Sequence, residues 1–340
     1  SKYFNRDFIA YSFGSEDSSD LLLPKTQAQK IGVSFLPFFL NDDYIRNESY
    51  ECGRTFIELS EGAGSFARAH YVFSAKQLSK EVRYMVTGNF GSELFRAMHN
   101  PGVMISKELI DVFKYNNKDS WINSLITSKK TSFLHFKIFK KEFDEIIDEI
   151  DHFKNNYRSL NQNQLFYIYV FSEVFRKYFG PEIIMQSHFI YNRSPFLNFY
   201  FIKKLFETYY CGIYSDFFTN NPFKRFKGQL IYAYIIKQAY PDLLYFDTNK
   251  GYKPFFLLTN MGKLRLLVNF LQKRLDKNKQ LDDTFSVKRA FDYNKEKWLS
   301  IEILEEYYNK NFISQSISNN YEIDLVHNIL SSNYFLNKFK

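Results

Sequence analysis

The stretch Arg83-Tyr84-Met85-Val86-Thr87-Gly88-Asn89-Phe90-Gly91-Ser92-Glu93-Leu94-Phe95-Arg96 reads as a short apolar strand, a polar turn carrying two glycines, and the start of a helix. At the carboxyl end of a parallel strand, free backbone N–H groups meet the positive end of a helix. Thr87-Gly88 and Gly91-Ser92 therefore have the chemistry to hold a nucleotide or its phosphate. Upstream, Phe8-Ile9-Ala10-Tyr11-Ser12-Phe13 reads as a strand ending at Gly14. Ser18-Ser19-Asp20 reads as a helix cap, and residues 21–30 as a helix stopped near Gly32, with Pro24 tolerable only in its first turn. Residues 33–39 read as a second strand despite Pro37, residues 43–52 and 54–59 as two helices, Glu61-Gly62-Ala63-Gly64 as a turn, and residues 82–86 as a third strand. Strands separated by helices imply parallel pairing, hence an α/β sheet.

From about Ser106 onward the pattern is helical. Apolar residues recur at three- and four-residue spacing at Phe143, Ile146, Ile147, Ile150 and Phe153, and again through residues 165–179, 202–210 and 230–239. Gly180-Pro181 reads as the end of a helix, residues 273–283 as a charged surface segment, and residues 314–320 as a polar loop. This divides the chain into residues 1–105, an α/β nucleotide-binding core, and residues 106–340, a helical portion packed on it as one continuous unit.

Composition excludes several classes. The net charge of +8 comes from 45 basic and 37 acidic residues that are interspersed, as in Lys140-Lys141-Glu142-Phe143-Asp144-Glu145. Such mixing describes solvated helix faces rather than a dedicated nucleic-acid surface. The 39 Phe and 26 Tyr are spread along the whole chain, as core residues would be. Cys52 and Cys211 stand far apart with no metal-ligand spacing, and the six histidines show none either, which fits a reduced cytoplasm without a structural zinc. No apolar run approaches the ~20 residues of a membrane helix. Ser65 lacks the flanking pattern of a nucleophile elbow, which sets a hydrolase aside. The chain opens on Ser1 and soon enters an apolar strand, which reads as a piece of a longer protein.

The run Thr87-Gly88-Asn89-Phe90-Gly91-Ser92-Glu93-Leu94-Phe95 resembles the strand-loop-helix motif of the asparagine synthetase C-terminal domain family. Further segments fall in that family's order. Tyr191-Asn192-Arg193-Ser194-Pro195-Phe196-Leu197-Asn198 resembles its Arg-x-Pro-(Phe/Leu)-Leu-Asp motif. Lys227-Gly228-Gln229-Leu230, Pro241 and Asn249-Lys250-Gly251-Tyr252 resemble its downstream sequence, and Tyr11-Ser12-Phe13-Gly14 with Ser19-Asp20, Ala28 and Ile31-Gly32 its early strand and helix. The resemblance spans about residues 8–255.

It implies an α/β fold, with a parallel sheet of the adenine nucleotide alpha hydrolase-like type followed by a large all-helical portion. It also implies an ATP- and Mg²⁺-dependent ligase that adenylates a small-molecule carboxylate, releases pyrophosphate and lets ammonia attack to form an amide. On that resemblance, Phe13, Gly14, Thr87, Gly88, Asn89 and Gly91 would surround the nucleotide, and Lys227 and Lys250 would neutralise developing phosphate charge. Arg193 would contact substrate or anchor a helix start, and Ser92 and Glu93 would stand nearest the metal. This sequence departs from the family at Asn89, Phe90, Ser92 and Asn198, where the family has an acid, a glycine, an aspartate and an aspartate. The family's Ser-Gly-Gly-x-Asp-Ser loop would lie immediately before residue 1, and the glutaminase domain that supplies ammonia further upstream. The polypeptide by itself is therefore not expected to turn over ATP.

Overall fold

The computed structural model describes residues 8–91, 94, 105–135, 137–214, 227–248, 251–275 and 285–339. Strand β1 (Ile9–Gly14) pairs in parallel with β2 (Ser34–Phe39), Ile9 opposite Ser34 and Gly14 opposite Phe39, and helix α1 (Ser19–Ile31) connects them. Gly32 ends α1 in the left-handed conformation at φ 69°, where its N–H returns to the carbonyls of Ala28 and Gln29. Pro24 lies beyond the first turn, contrary to the sequence reading. Its ring cannot donate to the Asp20 carbonyl, and Ser12 Oγ on β1 takes that carbonyl at 2.6 Å instead. Pro37 is accommodated in β2 because β2 is an edge strand among the described residues.

The two helices expected after β2 form one rod: a wide helical turn at Tyr44–Glu48 runs directly into α2 (Ser49–Leu59). Helix α3 (Ala69–Leu78) packs on α2 and leads into β3 (Tyr84–Val86). The partner of β3 is β4 (Tyr191–Arg193), again parallel, with Tyr84 opposite Tyr191 and Val86 opposite Arg193. Strand pairing is thus not confined to the first 105 residues. Sequence analysis offered no strand at β4, because three residues between a helix and a turn are too few to show a period.

The described strands form two separate parallel pairs, and β1 and β3 each keep one edge with no described strand beside it. Tyr11, Phe13, Leu36 and Phe38 nevertheless share an apolar cluster with Leu78, Val82, Met85 and Ile190, and Tyr11 Oη donates to Met85 Sδ at 3.0 Å. Phe13, near the end of β1, packs on His70 and Tyr71 at the start of α3, with ring centroids 5.0 and 5.4 Å away. β3 returns from the far end of α3 after a short turn. β1 and β3 therefore run the same way, toward the amino end of α3.

The rest of the described chain is mainly helical. Helices α4 (Lys107–Lys114), α5 (Lys118–Ile126), α6 (Lys140–Asn156), α7 (Gln162–Tyr169) and α8 (Phe175–Phe189) contribute to a core around Phe113, Trp121, Phe166, Tyr167 and Phe175. Helix α7 opens with a reciprocal cap between Asn161 and Gln164. A wide turn at Val170–Val174 joins it to α8, and α8 runs through Gly180-Pro181 instead of ending there. Pro181 leaves the Lys177 carbonyl without its helical donor, and one residue on, the Tyr178 carbonyl accepts from Arg68 Nη1 at 2.9 Å. After β4 come α9 (Phe199–Phe206), capped by Asn198, and α10 (Lys227–Ala239).

Residues 314–318 lie in a helix, Lys310–Ser318, rather than in the expected loop: Asn309 caps it, and Ile313 and Ile317 pack inward. The carboxyl-terminal helices fold back on α2, where Phe66 stacks on Trp298 at 4.1 Å and His327 sits against Phe66 and Phe291. Cys52 and Cys211 are both buried and free. Among the described residues no helix is long and apolar enough to cross a membrane.

Burial, with no hydrogen-bond partner at either ring nitrogen, pulls the His327 pKa down to about 4. Between the ordinary imidazole value and that one, the unfolded chain takes a proton that the folded chain refuses. Stability then falls with falling pH by up to about 1.4 kcal/mol per unit for this group. Urea denaturation of His327→Phe between pH 6.5 and 4.5 should show a correspondingly shallower loss than the parent.

Candidate functional site

The carboxyl ends of β3 and β4 open onto a chain of polar side chains anchored in the interior. Its anchor is Arg68, which precedes α3 and lies with its guanidinium over the rings of Phe56, Tyr71 and Tyr178, 4.8 to 5.6 Å from their centroids. Arg68 Nη2 is ion-paired to Glu182 Oε2 on α8, and the Glu182 side chain is only 4% exposed. Glu182 Oε1 accepts from Asn89 Nδ2 at 3.2 Å and from Gln186 Nε2 at 3.0 Å. Gln186 Oε1 accepts from Asn192 Nδ2 at 2.5 Å, and Asn192 Oδ1 faces the hydroxyls of Thr87 and Ser194 at 3.3 and 3.2 Å. Those two hydroxyls are 2.9 Å from each other.

Burial pushes the Glu182 carboxyl above its ordinary range, and the Arg68 charge opposes that shift. The same surroundings push Tyr11 and Tyr71 up to about 12, chiefly through burial with the Glu182 charge adding to it. His70 is pulled down to about 3 by burial and by Arg68, so it stays neutral. The site therefore carries one fixed buried ion pair among neutral polar groups.

The loop itself combines one open position with four that are filled. Thr87 is buried, and its N–H continues the β3–β4 ladder by donating to the Arg193 carbonyl at 2.9 Å. Gly88 is exposed, and a Cβ added there would meet no described residue within 4 Å. Asn89 turns its amide nitrogen inward to Glu182. Phe90 takes a positive φ of 69°, and its buried ring packs against Phe175 and Phe179. Gly91 has no room for a side chain, since a Cβ would come within 2.5 Å of Tyr232 Oη and 2.7 Å of the Phe196 ring. Tyr232 lies on α10, so the helix that Lys227 opens is packed against this loop.

Other expected residues have different surroundings. Phe13 is spent on packing with His70 and Tyr71. Gly14 is required by the close approach of α1, where an added Cβ would sit 2.5 Å from Ser18 Oγ. Arg193 neither anchors a helix nor faces the loop interior: it is exposed, donates to the Asn192 carbonyl and lies over the Tyr84 ring at 5.5 Å. Asn198 supplies the cap of α9 by accepting from the Phe201 N–H at 3.1 Å. Ser65 caps a short turn by accepting from the Ala67 N–H. Lys250, Ser92 and Glu93 lie outside the described residues. Among the described residues, no three His, Cys, Asp or Glu side chains gather as a metal set.

Sequence reasoning missed Arg68, Glu182, Gln186 and Asn192 as site residues. The signal that could have found Glu182 is a single carboxylate set in the apolar run Pro181-Glu182-Ile183-Ile184-Met185. The chain matches no known protein family, and no curated protein matches it.

Removing one partner of a buried ion pair leaves the other charge uncompensated, which costs about 3–5 kcal/mol, whereas replacing both with apolar groups costs much less. Arg68→Met should therefore destabilise the fold by about that amount, and Arg68→Met with Glu182→Met by distinctly less. Urea denaturation of the parent, the two single variants and the pair reads the difference directly.

Proposed function

We propose that the chain is the synthetase part of an ATP-dependent amide-forming ligase resembling asparagine synthetase (glutamine-hydrolysing), which activates a carboxylate as an acyl-adenylate for attack by ammonia from a glutaminase domain. One observation carries the reading: Thr87-Gly88 closes a parallel strand pair with Thr87 fixed in the ladder and Gly88 exposed. Main-chain groups can there be approached by a ligand as no side-chain-bearing residue would allow. Two features support it. Helix α10, which begins at Lys227, is packed on the same loop through Tyr232, so the lysine proposed to neutralise phosphate charge belongs to an element that borders the nucleotide position. β1 and β3 also run in the same direction, and among the described residues each keeps an unpaired edge.

In this reading Gly88 gives close approach to the adenylate, Asn89 faces the reacting carboxyl, and Lys227 and Lys250 answer the charge of the departing pyrophosphate. Mg²⁺ would supply the remaining counter-charge near Ser92 and Glu93. The second reading is a scaffold that keeps the fold for a binding or regulatory role. Its support is the side chains that occupy the loop, with Phe90 turned into the core and Phe196 and Tyr232 closed over Gly91.

Calorimetric titration with adenosine monophosphate and an assay of Mg²⁺- and ATP-dependent pyrophosphate release by the full-length protein separate the two. Gly88→Val should leave the melting temperature within about 2 °C, because the position is open, and weaken adenosine monophosphate binding at least tenfold, about 1.4 kcal/mol. Absence of nucleotide binding and of pyrophosphate release in a correctly folded full-length protein would leave the scaffold reading.

A further inference from the structure

The β3–β4 pair has one buried face and one open one. With Tyr84 opposite Tyr191 and Val86 opposite Arg193, alternation sends Met85 into the apolar cluster and Asn192 to Gln186, and leaves Tyr84, Val86, Tyr191 and Arg193 on the other side. Tyr84, Val86 and Tyr191 are 54%, 70% and 50% exposed. Parallel strands are ordinarily covered on both faces. The uncovered face here is built of rings and cations. The Tyr84 and Tyr191 rings stack with their centroids 5.4 Å apart and their planes 29° from parallel. The Arg83 guanidinium lies over both rings, at 5.6 and 5.1 Å, and that of Arg193 over Tyr84 at 5.5 Å. Neither cation is matched by an anion. The Arg83 guanidinium has no hydrogen-bond or ion-pair partner among the described residues, and that of Arg193 donates only to the Asn192 carbonyl. From Arg83 and Tyr191 the surface continues into a cleft of about 540 Å³, also lined by Lys80 and His188, in which Glu81 is the one carboxylate among the described residues. The charges interspersed over the whole chain are thus out of balance along this strip.

We propose that the open face of β3 and β4, with the adjoining cleft, binds single-stranded nucleic acid. A guanidinium stacked on an aromatic ring is already oriented, and its N–H fork matches phosphate oxygens. Exposed tyrosines are the kind of surface on which bases stack without regard to sequence. The two strands add about 10 Å of track to the cleft, three residues at ~3.3 Å each, which favours linked nucleotides over a single one. An acidic peptide would engage the cations and leave the tyrosines idle. A second copy of the chain docked face to face would set arginine against arginine. The surface uses no residue that the ligase reading uses, so either can fail alone.

Fluorescence anisotropy with a labelled twelve-nucleotide oligouridylate, read over a series of salt concentrations, tests it. Arg83→Ala with Arg193→Ala should weaken binding at least tenfold and reduce the slope of log affinity against log salt by about 1.4, ~0.7 for each lost phosphate contact. Tyr84→Ser with Tyr191→Ser should also weaken it at least tenfold but leave the slope unchanged, because stacking releases no counterions. Lys140→Ala with Lys141→Ala removes the same charge from the exposed start of α6 and should leave binding within twofold. All six positions lie at the surface, so each variant should melt within a few degrees of the parent. Binding that falls with the arginines but not with the tyrosines, and that polyglutamate competes away, would make the face an acidic-peptide site and overturn the proposal. Sedimentation of the parent as a dimer that Tyr84→Ser with Tyr191→Ser splits would make it a contact between copies, and overturn it too. So would a parent that does not bind the oligonucleotide, or one that the arginine pair leaves unchanged.

Discussion

A guanidinium surrounded by aromatic rings needs an anion within reach, and in this protein the one it has is Glu182. The Arg68–Glu182 pair joins the segment before α3 to the middle of α8, and through Asn89, Gln186 and Asn192 it fixes the ends of β3 and β4. Around the pair, Arg68 also donates to the Tyr178 carbonyl, burial together with the Arg68 charge keeps His70 neutral, and Asn89 is drawn inward. Desolvating two charges is costly, so the pair is better understood as a device that imposes one arrangement than as a source of net stability.

How the fold is assembled was partly legible in the sequence, and the parts that were not have specific reasons. Alternating strand and helix signals located β1, α1, β2 and β3, because each is long enough or sharply enough bounded by Gly14, Gly32 or Thr87-Gly88 to show its period. Proline misled the reading twice in the same way. Pro24 and Pro181 both sit within helices, and at Pro24 a side chain from elsewhere, Ser12, takes the carbonyl that the proline leaves without its donor. The rescue at Pro24 is a tertiary fact, invisible to any local rule about proline. The segment 314–318 misled for a different reason: its serines look solvent-bound, yet Ile313 and Ile317 carry it into the core.

For the site, sequence order found the loop but not what stands behind it. Thr87, Gly88, Asn89 and Gly91 were singled out as neighbours of one another, and they are. Their supporting residues come from Arg68, Glu182, Gln186 and Asn192, which no spacing connects. Asn89 illustrates the gap. In the motif it resembles, that family has an acid at its place; in the fold its nitrogen answers an acid that lies on α8. Asn198 likewise stands where the resembled family has an acid, and the structure gives it a local task at the start of α9.

Thr87 and its partner Asn192 are 105 positions apart, with five described helices lying between them in the chain. A contact of such separation carries a large loop-closure penalty until the intervening helices have condensed. The mouth beside Gly88 is accordingly one of the last features to take shape as the polypeptide collapses. A nascent chain released before residue 193 has the turn but no second ribbon to hold it.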